Sequence, residues 1–163
     1  MKWTAHTLIS SGVVYLASGD WLSAFAAGLG AVFPDWLEFR IYGKYDKRVH
    51  RKWTHWIGWY LPVIVWVLFF QKGEIKLGEV WACYYESGLW GDLMLLVFFW
   101  VCVGSILHVF EDSLTGKVPL FSPGKRDFGW KLFLTGSIFE KVLAALVFAV
   151  CVLLRGLLTG KFF

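Results

Sequence analysis

Four long apolar stretches, separated by segments that hold most of the charge, set the frame of this chain. The first, Thr4 to Val32, is broken clearly only at Ser18-Gly19-Asp20. A single helix of that length exceeds the about 20 residues that cross a hydrocarbon core, whereas two helices of roughly 13 to 15 residues each enter it in part or obliquely. Gly and Asp are turn residues, and an aspartate in the middle of a lipid-facing helix is costly. The pattern therefore predicts a helical hairpin turning at Gly19-Asp20. Phe33-Pro34-Asp35 is expected to end its second arm, because proline removes a donor and restrains the preceding residue.

From Glu38 to Lys52 the chain is polar and basic, with Arg40, Lys44, Lys47, Arg48, Arg51 and Lys52, and reads as a loop or short interfacial segment. Trp53 to Phe70 is the next apolar run, with a kink expected at Pro62. A mixed loop, Gln71 to Asp92, follows. Leu93 to Phe110 is read as a span, Thr115 to Lys131 as a loop with Lys117, Lys125, Arg126 and Lys131, and Ile138 to Leu154 as the last span. No internal repeat interrupts this order. The expectation is an all-α integral membrane helical bundle in one domain, residues 1–163: an N-terminal hairpin plus three further apolar helices.

Composition agrees. An apolar fraction of 58%, a mean hydropathy of +0.59 and eleven tryptophans fit the membrane class. The first apolar stretch lacks a basic n-region and a small-residue cleavage site, so it is read as part of the fold and not as a secretory signal. The net charge of +4 is read as basic loops against an anionic leaflet, with membrane lipid as the partner. Nucleic acid is a secondary candidate. Cys83, Cys102 and Cys151 show no C-x-x-C spacing and are read as packing residues. Trp3, Trp53, Trp56, Trp59 and Trp130 are read as interfacial anchors.

All four histidines lie at ends of apolar segments. In the hairpin arrangement His6, Asp35, His55, His108 and Asp112 come to the same ends of their helices. The two most basic loops lie on that side too, which predicts that it faces the cytoplasm. His108 and Asp112 are four apart, so imidazole and carboxylate share one helix face, while Glu111 is expected to point away. With Asp35 and His55 they supply four ligands suited to zinc, manganese or iron, and His6 is placed to serve a second ion bridged by a carboxylate. Each residue alone is equally read as an interfacial hydrogen-bonding group; their shared predicted depth favours a site.

Through His6-Thr7, the Gly-rich helix ending in Pro34-Asp35, the His-Arg-x-x-Thr-His element from His50 to His55 and the late His108-x-x-x-Asp112, the chain resembles the YdjM-like inner-membrane proteins, a family of metal-dependent hydrolases. That family is in turn distantly similar to the zinc-dependent phospholipase C and zinc nuclease group. This similarity implies one zinc on Asp35, His55, His108 and Asp112 and a neighbouring one at His6. A third zinc is not implied, since no histidine follows His108, and Glu38 is not assigned as a ligand because Trp36 and Leu37 separate it from Asp35.

The resulting expectation is a membrane-bound metal-dependent hydrolase of lipid or amphiphilic phosphoesters, holding one or two ions, zinc first. Arg51, Lys125 and Arg126 are candidates for binding an anionic substrate. Arg51 is also a candidate for stabilising developing charge, and His50 for an acid/base or supporting role. The alternatives are a noncatalytic membrane scaffold with a structural metal site and a nucleotide or nucleic-acid phosphodiesterase.

Overall fold

The computed structural model describes residues 1–43, 50–70 and 90–160. The expectations for Lys44, Lys47, Arg48 and Cys83, and for the mixed loop from Gln71 through Leu89, lie outside them. The described residues form helices α1 (Trp3–Ser18), α2 (Trp21–Gly30), α3 (Phe33–Tyr42), α4 (Leu61–Phe70), α5 (Trp90–Thr115) and α6 (Ile138–Thr159). Two 3₁₀ turns, Trp53–His55 and Ile57–Trp59, precede α4.

The break at Gly19-Asp20 arises as the residue types require. Gly19 closes α1 in the left-handed region, and the Asp20 carboxylate caps α2 by accepting from Leu22 N at 3.3 Å and Ser23 N at 2.6 Å. The two arms pack on each other, and Ser11 donates to the Ala24 carbonyl at 2.9 Å.

Several boundaries differ from those expected. Phe33-Pro34-Asp35 does not end the second arm: α2 stops at Gly30, and Pro34 stands in the first turn of α3, where its missing N–H costs nothing, so Pro34-Asp35 starts a helix. That helix includes Glu38, expected in a loop. The run from Trp53 is not one kinked helix: Trp56 is extended, and Pro62 lies in the first turn of α4. Finally, α5 begins at Trp90 and continues past Phe110 to Thr115, and α6 runs past Leu154 to Thr159. Among the described residues, Leu93–Thr115 and Ile138–Thr159 are long and apolar enough to cross a membrane, judged by length and composition only.

Helix α1 lies between α2 and α6 and is tied to α6 at both ends. The Glu140 carboxylate, fully buried, accepts from Lys2 N and from Gly136 N, both at 2.7 Å. At the other end Arg155 donates to the Leu16 carbonyl at 3.3 Å, a cation at a helix C-terminus. The two helices therefore run parallel. On the other side α2 meets α5 almost backbone to backbone. A Cβ on Gly30 would sit 2.1 Å from the Val101 carbonyl oxygen, and one on Gly104 would sit 2.0 Å from that of Ala27. Val14, Ala26, Ala27, Leu96 and Trp100 form the buried core between these helices.

Apolar side chains also face outward in helical register: Trp21, Phe25 and Leu29 on α2, and Val142, Leu146, Val150, Leu153 and Leu157 on α6 are exposed. In water such stripes would be a liability; against lipid they are the expected outer face.

Candidate metal centre

Two contacts bring one end of α5 against the junction of α2 and α3. Ser105 Oγ donates to the Gly30 carbonyl at 2.9 Å, and His108 Nδ1 donates to the Ala31 carbonyl at 2.6 Å. Because Nδ1 carries the proton, Nε2 of His108 is left with its lone pair. It lies 3.7 Å from Asp35 Oδ1 and 3.7 Å from Asp112 Oδ2.

His55 is held in the same sense. Its Nδ1 meets Thr54 Oγ1 at 2.9 Å, and that hydroxyl lies 3.4 Å from Glu38 Oε2, so imidazole, hydroxyl and carboxylate form a chain. Its Nε2 is 3.2 Å from Asp35 Oδ1 and 3.7 Å from Asp112 Oδ2. His6 repeats the arrangement from α1: Nδ1 is 2.6 Å from Glu111 Oε2, and Nε2 is 3.3 Å from Asp112 Oδ1.

Three fully buried imidazoles thus turn their Nε2 atoms toward two carboxylates, with each Nδ1 engaged behind. Within this set His6 Nε2 and His108 Nε2 have no hydrogen-bond partner. At His108, whose proton is on Nδ1, the Nε2 lone pair and the carboxylates are acceptors facing acceptors, an arrangement that a cation between them would satisfy. Hydrogen bonding at the distal nitrogen is also how metal-bound histidines are oriented. The donor set therefore fits a divalent ion. Two groups suit one: Asp35, His55 and His108, and His6, His108 and Asp112.

Positive charge already enters from two sides. Arg51 straddles Asp112, with Nε 2.7 Å from Oδ2 and Nη2 2.8 Å from Oδ1, and Nη2 also donates to Thr115 Oγ1 at 2.8 Å. The Met1 amino group is hydrogen bonded to Asp112 Oδ1.

The structure brings His6, Asp35, His55, His108 and Asp112 to one place, with His50 and Arg51 at its edge. His50 Nδ1 is 3.0 Å from Glu38 Oε1 and 4.0 Å from Asp35 Oδ1. A cavity of about 560 Å³ opens beside them, and Trp3, Asp35, Phe39, His50 and Arg51 are among the residues that line it. Arg126 lines a second cavity, described below; Lys125 is exposed and lines neither.

Sequence reasoning misplaced or missed several residues. Glu111 does not point away: it is buried, holding His6 on one oxygen and accepting from Ser10 Oγ at 2.8 Å on the other. Its three-residue spacing from His108 leaves it a neighbour on the same side of α5, where α1 meets it. Glu38 is buried and takes part in the site, meeting His50, Thr54 and Arg51 N, the last at 3.3 Å. Its signal was the three-residue spacing from Asp35, which puts both on one face once α3 is a helix. Trp3, expected as an anchor, is half exposed but donates its Nε1 to Asp35 Oδ2 at 3.0 Å.

The described residues thus form a helical molecule with apolar outer faces and a buried imidazole–carboxylate cluster that could hold a metal ion. Residues 1–162 match the YdjM inner membrane protein family, and the chain belongs to that family. No curated protein and no solved structure matches it.

Proposed function

We propose that the protein is a multi-pass inner-membrane hydrolase of amphiphilic phosphoesters, with its metal centre at the cytoplasmic ends of the helices. The observation that carries this reading is the convergence of the Nε2 atoms of His6, His55 and His108 on Asp35 and Asp112 beside an open, partly apolar cavity. Asp35, His55, His108 and Asp112 would hold one ion, and His6 a second that shares Asp112. A divalent ion, zinc first with manganese and iron as alternatives, supplies Lewis acidity and an acidified water.

The chain's own residues account for the rest. Glu38 and Thr54 fix His55, while Glu111 and Ser10 fix His6. Arg51 balances Asp112 and is placed to meet charge developing on a phosphoryl group. His50, whose Nδ1 faces Glu38, stands at the edge of the cluster for an acid/base or supporting role. Trp3 and Phe39 offer an apolar wall for the chain of an amphiphile. The cytoplasmic orientation is supported by Lys2, Arg40, Arg51, Lys52, Lys117, Lys125, Arg126 and Lys131, which gather toward the metal-site ends of the helices.

The test is metal content and turnover of the detergent-purified protein, comparing wild type with His108→Ala and Asp35→Ala. Near-stoichiometric metal and metal-dependent phosphoester hydrolysis, both lost in folded variants, are expected. The cation–carboxylate contacts of Arg51 and the Met1 amino group with Asp112 favour a second reading, a noncatalytic scaffold whose cluster is balanced internally. Wild type empty of metal after supplementation and inactive would establish it.

A further inference from the structure

The loop between α5 and α6 is strapped to the end of α5, and the strap carries three cations to one concavity. Val118 and Phe128 form a bridge, with Val118 N donating to the Phe128 carbonyl at 2.7 Å and Phe128 N to the Val118 carbonyl at 3.1 Å. Trp130 N and Leu132 N donate to the Ser113 and Leu114 carbonyls at 2.8 and 2.6 Å. Lys117, Arg126 and Lys131 thereby line a cavity of about 510 Å³ together with His50 and Arg51. Among the described residues no carboxylate lines it. Asp127, the nearest acid in sequence, instead accepts from Leu120 N at 2.9 Å and Phe121 N at 3.4 Å.

Two further features single out this cavity. Among the described residues, the non-glycine positions with positive φ are Arg51 at 58° and Lys131 at 54°, and both are on its wall. That conformation is uncommon for such residues and clusters at functional sites. In addition, the Arg51 guanidinium lies directly on Gly116, where a Cβ would be 2.2 Å from Nη1. One edge of Arg51 thus faces Asp112 and the metal cluster while the other borders the cationic cavity. His50, Arg51 and Thr135 line the cavity of Trp3 and Phe39 as well, so the two cavities adjoin at these residues, and Arg51 joins both to Asp112 of the metal cluster.

We propose that the cationic cavity is a subsite for a second phosphate group of the substrate, which makes the substrate an amphiphilic diphosphate ester. This rests on reading the metal cluster as a hydrolytic centre. The alkyl chain lies along Trp3 and Phe39, the inner phosphate at Arg51 and the metal ligands, and the outer phosphate among Lys117, Arg126 and Lys131. In hydrolysis the water oxygen bonds to the inner phosphorus, and the bond from that phosphorus to the bridging oxygen breaks. The outer phosphate leaves with that oxygen and the electron pair. One water proton passes to the leaving phosphate, and the other stays on the alkyl monophosphate as its P–OH. Cations around the outer phosphate stabilise it as a leaving group.

The experiment uses the full chain in neutral detergent with zinc or manganese. It compares dodecyl diphosphate with the one-phosphate ester dodecyl nitrophenyl phosphate, for wild type, Arg126→Gln, and Lys117→Gln/Arg126→Gln/Lys131→Gln. The triple variant is expected to lose at least about tenfold in kcat/KM on the diphosphate, the scale of lost charge-assisted contacts. On the one-phosphate ester it should stay within about twofold, as for surface substitutions. Arg126→Gln, a change at an exposed side chain, should fall between. Equal loss on both substrates, or none, overturns the proposal. If wild type turns over neither ester, the hydrolase reading fails, and binding of dodecyl methylenediphosphonate to metal-free protein decides the subsite. Wild-type binding at least about tenfold tighter than the triple variant supports it. Equal binding overturns it, as does equally tight wild-type binding of phosphatidylglycerol, which would make the cavity a lipid headgroup site.

Discussion

His108 Nδ1 lies 2.6 Å from the carbonyl oxygen of Ala31, joining the imidazole of one helix to the end of another. This contact fixes the tautomer that aims Nε2 at Asp35 and Asp112, and it exists only because α2 and α5 approach through Gly30 and Gly104.

Gly104→Val should therefore damage the site from a distance. The added side chain meets the Ala27 carbonyl and forces the helices apart, costing about 1–3 kcal/mol as other overpacked contacts do. A lowered Tm together with reduced metal content, measured on the same preparation, is the expected result. Normal metal content in the destabilised variant would show that the Ala31 contact is dispensable.

Glu111→Gln keeps the shape of the residue but weakens its hold on His6. Loss of an outer hydrogen-bond partner costs metal sites about 10–100-fold in affinity. Competition with a chelator should show that loss for one ion, with the ion at Asp35, His55 and His108 retained. A variant that binds both ions as wild type does would remove Glu111 from the site.

Arg51→Ala leaves the buried Asp112 without its guanidinium partner, and breaking such a pair costs about 3–5 kcal/mol. A bound divalent ion replaces the missing charge. Added metal should then raise the Tm of Arg51→Ala more than that of wild type. Equal increments would mean that the ion and Asp112 do not interact.

On the outer face, Leu146→Arg places a cation within α6 where the side chain is exposed. If that face meets lipid, the cost is about 2.5–3.5 kcal/mol near the centre of the bilayer. The fraction recovered in alkaline-washed membranes should drop, while Lys125→Leu on the connecting loop should leave it unchanged. Undiminished recovery of Leu146→Arg would show that this face does not contact hydrocarbon.

What could be read from the chain beforehand divides along physical lines. The hairpin was legible because Gly19 and Asp20 are strong local signals, and the His108/Asp112 pair because a four-residue spacing needs only a helix. The 3₁₀ turns before α4 were not legible, since Trp53 to Phe70 is apolar almost throughout and an apolar run does not reveal its own backbone. Glu111 was misjudged for a different reason. The four-residue pair His108/Asp112 was taken as the whole face, although Glu111, three residues from His108, neighbours it too, and its partner His6 lies 105 residues away. Glu38 was hidden by the assumption that Pro34 stops a helix, when that residue begins one and α2 has already ended at Gly30.

The hydrogen bond between His6 and Glu111 joins residues made 105 positions apart, and His6 and Asp35 reach their remaining partners in the cluster only when α5 is in place. During synthesis the polar ends of α1 and α3 must therefore wait, incomplete, until α5 has packed beside them. Chains that stall before residue 108 present His6 and Asp35 without their closing helix, so a metal held by the whole cluster would report that α5 is in place.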